Sequence, residues 1–335
     1  MSERIVIKEI CEVYDGPHAT PKKTVDGPVY LGIDAITDDG KINAKEFAHL
    51  SEEDYIKWTK RVTPQYGDIV FSYEATLGRY ALIPKDFYGC LGRRLAIIRN
   101  VSKDIDTLWL YYYFLSLEWK QFIQSKIIKG STVNRISVED FPTYTVPNIS
   151  IKVQRKIANI LSKIDEKIAL NNNINDNLEQ QIKTIFAFQF LQNANTEWKQ
   201  QSLAELSEMY QPKTISGKDL IADGNYFVYG ANGIIGKYNQ YNHSESEIAV
   251  ACRGASCGSI QMTLPFSWIT GNAMVVKPHY DFPYREYLYY YLLAKNPNYL
   301  CSGSAQPQLT RENLTLYSLK VPSTTELKRF LEICF

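Results

Sequence analysis

Residues 154–190 read QRKIANILSKIDEKIALNNNINDNLEQQIKTIFAFQF, thirty-seven positions without a glycine or a proline. Steps alternating between four and three residues pick out Ile157, Leu161, Ile164, Ile168, Asn171, Asn175, Leu178, Ile182, Ile185 and Gln189. A seam of that period, sustained over more than four heptads, predicts a long coiled-coil helix; a helix lying on a globular core wants a wider apolar stripe. At 1.5 Å per residue such a helix is roughly 55 Å long. The two asparagines sit on the seam, where a buried amide fixes register at some loss of stability.

The flanking sequences repeat one another in order. IKEICEVY (7–14) answers to LAELSEMY (203–210), and DIVFSYEATLGRYALI (68–83) to EIAVACRGASCGSI (247–260), each an apolar strand-like run, a small-residue turn and a second strand. LGRRLAII (91–98) matches TGNAMVV (270–276), LYYYFL (110–115) matches LYYYLL (288–293), and KGSTVNRISVEDF (129–141) matches SGSAQPQLTRENL (302–314). A proline, Pro147 or Pro322, and a helix start, QRKIANIL (154–161) or LKRFLEIC (327–334), close each series. The offset falls from 196 at Tyr14 and Tyr210 to 179 at Asp68 and Glu247 and 173 at the closing helices, so one order of elements is kept while loops change length. The first copy carries 17 extra residues between Tyr14 and Asp68. A period near 175 means two tandem domains rather than a solenoid.

Both tyrosine runs fall at helical spacing: Leu108, Tyr112, Leu115, Trp119 and Phe122 in the first, Tyr284, Leu288 and Tyr291 in the second. Asp106 or Thr107 caps the first helix and Asn296-Pro297 ends the second. An aromatic stripe at this spacing predicts core, since base-stacking platforms lie exposed on strands or in grooves. The expected fold class is α+β, two similar domains joined by a long coiled-coil-like helix. The expected bounds are 1–147, 148–196 for the central helix, 197–320, and 321–335 for the start of a distal helix.

The rest of the sequence mainly excludes. Thirty-seven Lys and Arg against 36 Asp and Glu leave a net charge of +1, so only a local patch could steer an anionic partner. No apolar run nears the roughly 20 residues a bilayer needs, and MSERIVIKEI lacks the apolar core of a secretory signal. Cys11, Cys90, Cys252, Cys257, Cys301 and Cys334 form no CxxC pair and are too sparse for a disulfide framework. With four histidines besides, no metal site is expected. These features predict a reduced, cytoplasmic protein without a membrane partner.

GASCG (254–258) fits the nucleophile elbow of a serine hydrolase, with Ser256 as nucleophile. The elbow needs a helix after the serine, and SIQMTL is strand-like. YGANGIIGK (229–237) has five residues between Gly230 and Gly236 and a tyrosine after Lys237, so it fails as a phosphate loop. Asn232-Gly233 reads instead as a hairpin turn needing positive φ. No catalytic residue is expected in this chain.

Two similar domains held apart by a rod suit a target with two similar, separated parts, such as half-sites on duplex DNA about one turn apart. Here the sequence resembles a known family. VQRKIANILSKIDEKIALNNNINDNLEQQIKTIFAFQF is similar to the central spacer helix of the specificity subunit of type I restriction–modification enzymes. LSEEDYIKWTKRVTPQYGDIVFSYEATLGRYALI (50–83), GSTVNRIS (130–137) and GSAQPQLT (303–310) resemble segments of its target-recognition domains. The resemblance covers essentially the whole chain. It implies two target-recognition domains, each reading half of a split sequence in double-stranded DNA. It also implies helices that fix the gap and dock two modification (methyltransferase) subunits, and restriction (nuclease–translocase) subunits beyond them. S-adenosylmethionine, ATP and magnesium would then belong to the partners, with no cofactor in this chain.

The family's second spacer helix packs against the first, and here the sequence reaches about ten residues into it, at ELKRFLEICF. The resemblance therefore implies a shortened subunit or a second polypeptide that supplies the missing helix. A shortened copy that binds modification subunits and directs nothing is the alternative reading.

Phosphate positioning wants Lys and Arg; base reading wants Arg for guanine and Asn or Gln for adenine. In turns between strand-like runs, where binding residues concentrate, the candidate DNA contacts are Lys22, Lys23, Arg79, Arg93, Arg94 and Arg135 in the first copy. In the second they are Lys213, Asn232, Lys237, Arg253, Asn272, Gln306 and Gln308. The candidate helix interface is Ile157, Leu161, Ile164, Ile168, Asn171, Asn175, Leu178, Ile182 and Ile185.

Overall fold

A computed structural model describes residues 3–130, 133–303 and 306–334. Ser131, Thr132, Ser304 and Ala305, in the two small-residue loops singled out above, lie outside the described residues. The chain divides into two compact units, Met1–Leu170 and Asn171–Phe335, and the division falls inside one continuous helix.

The first unit runs β1 (Arg4–Val6), β2 (Cys11–Asp15), β3 (Thr24–Leu31), β4 (Ala48–His49), α1 (Glu52–Trp58), β5 (Ile69–Ser72), β6 (Tyr80–Leu82), β7 (Gly89–Leu91) and β8 (Leu95–Asn100). Helices α2 (Thr107–Leu115) and α3 (Leu117–Lys126) and strand β9 (Thr145–Pro147) follow, and α4 (Ile151–Phe186) leaves the unit. The strands form a four-stranded sheet, order β2-β8-β5-β6, a three-stranded sheet, order β4-β3-β7, and the pair β1-β9. After α4 come β10 (Lys199–Ser202), α5 (Leu203–Leu206), β11 (Ser207–Tyr210), β12 (Tyr226–Gly230), β13 (Gly233–Tyr238), β14 (Ile248–Ala251) and β15 (Ile260–Met262). The chain finishes with β16 (Trp268–Ile269), β17 (Ala273–Pro278), α6 (Arg285–Ala294), α7 (Arg311–Thr315), β18 (Ser318–Val321) and α8 (Thr324–Cys334).

Its sheets are β11-β17-β14-β15, β13-β12-β16 and the pair β10-β18, the first unit's topology over again. Even the single parallel contact is repeated, β3 with β7 and β12 with β16. The first copy's extra residues house α1, which has no counterpart among the described residues of the second.

Period-two alternation builds both cores. Ile69, Phe71, Ala96 and Ile98 face α2 and α3 with Trp109, Phe114 and Trp119, while Val70, Leu95 and Ile97 face Leu31 and Ile36 across the other side of the sheet. In the second unit Ile248, Val250, Met274 and Val276 lie under Tyr287 and Leu288, and Ala249 and Val275 face Tyr229 and Ile269.

The tyrosine runs are helical and largely core, as their spacing predicts, but the first is broken where the sequence offers no breaker. Ser116 is extended (ψ 156°) and its hydroxyl accepts the Trp119 N–H at 3.2 Å, so α2 ends and α3 starts there. Asp106 is the cap of α2, accepting the Trp109 N–H at 2.9 Å. The fully buried face is Trp109, Leu110, Tyr111, Tyr113 and Phe114, with Leu108, Tyr112 and Leu115 only half-buried, so the expected stripe sits about one residue off the true one. Tyr111 donates to the Gly40 carbonyl at 2.8 Å; at Gly40 φ is +86° and a Cβ would collide with the same hydroxyl, which makes the glycine necessary.

One buried amide anchors α4 to the first unit. Gln154 is fully buried; its Oε1 accepts the Asp106 N–H at 2.8 Å and its Nε2 donates to Asp104 O at 3.1 Å and Ile149 O at 2.8 Å. About one turn further on, Ala158 joins the first unit's core, and Tyr112 donates to Asp165 at 2.7 Å. At its far end α4 relaxes into a π-helical turn, Ala187–Gln192, where Phe186 and Phe190 enter the second unit's core.

Each unit also repeats a buried acid with a basic partner on the neighbouring central strand. Asp68 accepts two bonds from Arg99 (2.8 and 2.7 Å), with the guanidinium also over the Tyr14 ring. The Asp68 bonds hold Arg99 above its ordinary pKa. At the corresponding place Glu247 faces Lys277 at a looser 3.6 Å, and burial lifts the Glu247 carboxyl above its usual range, Lys277 offsetting this only in part.

Three substitutions test these anchors. Gln154→Ala leaves an N–H and two carbonyls without partners and costs on the order of 3 kcal/mol; an unchanged midpoint in urea denaturation would place the anchor elsewhere. Folded Glu247 holds its proton to higher pH than the unfolded chain does, so its contribution favours folding at low pH and becomes a penalty as pH rises through the folded value. Glu247→Gln is therefore expected to hold or raise the melting temperature at pH 7, with no gain below about pH 4. Asp68→Asn, which strands the Arg99 fork, lowers it by several degrees at pH 7.

Candidate nucleic-acid interface

The loops that carry the candidate DNA contacts meet at one corner of each unit. In the first, the turn after β5 (73–79), the β7–β8 turn (92–94) and the segment entering at 135–136 are tied by backbone bonds, Tyr73 N to Arg94 O at 3.1 Å and Ile136 N to Tyr73 O at 2.8 Å. In the second, Cys252 N donates to Asn272 O and Leu309 N to Cys252 O, both at 2.9 Å. The last segment of each corner is held by a two-bond backbone bridge: Ile128 and Arg135 exchange bonds of 2.9 and 3.1 Å, and Ser302 and Gln308 exchange two of 2.8 Å.

In the first unit Lys23, Arg93 and Arg94 line a single hollow of about 360 Å³, with exposed Lys22 beside it. The Arg93 N–H donates to the Tyr30 hydroxyl at 3.1 Å, which leaves its side chain exposed. Arg94 has a φ of 73° and pairs with Glu74 at 3.3 Å, an acidic partner absent from the candidate contacts. Through the backbone, Glu74 also forms an isolated antiparallel β-bridge with Arg135, whose side chain is exposed. Arg79 stands apart: its guanidinium makes two bonds to Asp38 (2.6 and 3.1 Å) and one to the Ile36 carbonyl at 3.1 Å, so its donors are engaged within the unit.

In the second unit Arg253, Asn272 and Gln308 share the corner, all exposed, with Gln306 in the same segment. The Lys213 loop packs beside them, its carbonyl accepting the Trp268 indole N–H at 3.2 Å while Thr214 accepts the Gly271 N–H at 3.1 Å. Asn232 tips the β12–β13 hairpin, where Gly233 has the expected positive φ of 94°. Lys237 lies away from the corner on β13, 5.5 Å over the Phe227 ring.

One expectation needs correction here. Cys257 and Cys301 form a disulfide, their Cα atoms 6.5 Å apart, so the chain is not wholly reduced. Forty-four residues separate the pair in sequence, and only the folding of the 254–258 turn against the base of the 302–308 segment brings them together. The first unit has Leu77 and Ile127 at these two places, lining one hollow, so a covalent link in one copy replaces an apolar contact in the other. Cys11 and Cys90 remain free and buried, which pushes both thiols up to about 12. Ser256 is no nucleophile elbow: the turn joins antiparallel β14 and β15, and among the described residues no histidine bonds its hydroxyl.

Along α4 the seam is open over most of its length. Ile157, Ile164, Ile168, Asn171, Asn175 and Leu178 are exposed, while Leu161, Ile182 and Ile185 are half-buried. Every residue from Glu166 to Gln181 is exposed, and Ile160 and Ile174 widen the stripe beyond the seam. At its far end α4 is covered by α6 and α8, where the Phe186 ring lies 5.6 Å from Tyr287 and 5.5 Å from Phe330, and Phe190 lies 5.3 Å from Phe330. No described helix is long and apolar enough to cross a membrane.

A sequence model of the family described as "Type I restriction modification DNA specificity domain" matches this chain twice, over residues 2–180 and 195–333. The chain is 26% identical over 279 residues to the type I restriction enzyme EcoprrI specificity subunit of Escherichia coli, a match covering 76% of this chain and 67% of that protein. Its fold is similar to the crystal structure of a type I restriction–modification S subunit from M. genitalium, with a TM-score of 0.58 at 18% identity, covering 99% of this chain and 87% of that one. The duplicated fold, the two matching segments and the long helix between them agree: the chain belongs to the type I restriction–modification DNA specificity family, the sequence-reading, non-catalytic part of those systems.

Proposed function

We propose that each unit reads one half of a bipartite target in double-stranded DNA and that the chain thereby directs partner methyltransferase and restriction subunits to it. The observation that carries this is the repeated corner, where one scaffold presents two different sets of cationic and amide side chains. A duplicated fold with identical surfaces would suit a symmetric target; different surfaces on one scaffold suit a split, asymmetric one. Recognition falls to residues 1–147 and 197–320, with 148–196 and 321–335 as spacer helices. The exposed stripe from Ile157 to Leu178 is the surface on which two modification subunits, and a second polypeptide completing the helix pair, would dock, because an apolar stripe this long is otherwise left in water. S-adenosylmethionine, ATP and magnesium would be held by those partners, in the cytoplasm where the DNA is.

Co-expression with a cognate modification subunit and mapping of methylated adenines tests the proposal. A split motif with a fixed gap is expected. A stable complex that methylates nothing would mean that the chain is a structural partner only. Truncating the stripe with Ile164→Ser and Ile168→Ser is expected to weaken the complex at least 10-fold, since each removes a large apolar contact, without changing the melting temperature of the isolated chain.

A further inference from the structure

The corner's backbone bonds fix a one-to-one correspondence between the units. Glu74 bridges Arg135 as Arg253 bridges Gln308, and Arg94 and Asn272 supply the carbonyls that accept from Tyr73 and Cys252. Glu74 therefore stands where Arg253 stands, Arg94 where Asn272 stands, and Arg135 where Gln308 stands. The residues between these positions are buried in both units: Tyr73 and Cys252, Ile136 and Leu309. The three outward positions differ at every one, reading Glu, Arg, Arg in the first unit and Arg, Asn, Gln in the second. Solvated surface also drifts, but drift alone does not draw five of six residues from the set that pairs with base edges in the major groove.

Two further observations set the corner apart. In the second unit the side chains of Arg253, Asn272 and Gln308 make no hydrogen bond or ion pair among the described residues, so their donors and acceptors are free for a ligand. In the first, Arg94 is a non-glycine residue at φ 73°, held there by its neighbours and by Glu74, and strain of this kind gathers at ligand-binding positions.

Resting on the reading of this chain as a DNA specificity subunit, we propose that this corner is the base-discriminating element. Arg253 would read a guanine, and Asn272 and Gln308 adenines, in one half-site; Arg94 and Arg135 would read guanines in the other. Glu74, whose carboxylate lies 3.3 Å from the Arg94 Nε, is a positioning residue that acts through Arg94, holding its charge at the corner before DNA arrives. The remaining lysines, Lys22, Lys23 and Lys213, flank the corner and suit phosphates, which orient the duplex without reading it.

The test is methylated-site mapping in the co-expressed complex, with discrimination measured at every base pair of the motif. Arg253→Ala, Asn272→Ala and Gln308→Ala are each expected to lose roughly 10-fold or more discrimination at one base pair of the second unit's half-site, leaving the other half unchanged. Arg253→Lys keeps the charge but loses the two-pronged fork, and is expected to relax the same base pair. Glu74→Gln relaxes the position read by Arg94 while the melting temperature stays within a few degrees, a change that a merely structural role would not produce. Lower methylation at all sequences alike, with base preferences intact, would assign the corner to phosphates and overturn the inference. So would wild-type discrimination in every variant of a complex that still methylates a split motif, although the DNA reading would then stand. A wild-type complex that methylates no split motif would sink both.

Discussion

Each unit is closed by its own first and last strands. The antiparallel pair β1–β9, with Arg4 opposite Pro147, and the pair β10–β18, with Lys199 opposite Val321, bring the entry and exit of each unit together. Backbone bonds beside them, Ile7 to Tyr144 and Leu203 to Tyr317, extend the closure. A helix then departs within a few residues of the last strand, α4 from one unit and α8 from the other. With both ends pinned, the loops between can lengthen or change sequence without moving the helix start, which is how one unit holds α1 and the other does not. The helix roots differ in chemistry at the same place, buried Gln154 in one and buried Leu327 in the other.

Divergence between the copies follows burial. Where an acid is buried beside the central strands it stays an acid and keeps a basic partner: Asp68 with Arg99, Glu247 with Lys277. A lone buried charge is costly, so neither partner can change sign by itself. At the exposed corner that constraint is absent, and Glu74 becomes Arg253 without penalty to the fold. The contact beneath shows a third outcome, Leu77 and Ile127 exchanged for a cystine, because both fill the same space.

The duplication, the order of elements and the long helix were legible in the sequence because each rests on local period and composition. The break at Ser116 was not: serine fits a helical pattern, and only the capping bond to Trp119 shows that the backbone turns there. Which tyrosines face inward depended on that break. Among the site residues, position in a turn was legible and partnership was not. Arg79 finds Asp38 41 residues away, and no local feature announces the pair. Glu74 was not legible as a site residue because an acid does not suit phosphate, although the alignment of YEATLG with CRGASCG already sets it opposite Arg253. The Cys257–Cys301 pair, likewise, needs the tertiary fold to be seen.

The middle of α4 carries one more consequence. From Asn171 to Asn177 the helix reads NNNINDN, five asparagines and an aspartate around one isoleucine, and no described residue covers it. Asparagine and aspartate are weak helix formers, each roughly 0.6 kcal/mol poorer than alanine. Tertiary packing supplies most helical stability in proteins, and here it reaches only the two ends. The amide hydrogens of this stretch therefore open locally far more often than those at Gln154 or Phe186. Closure of that opening is the signature by which a docked helix would announce itself, so the least protected part of the chain doubles as its most sensitive reporter of assembly.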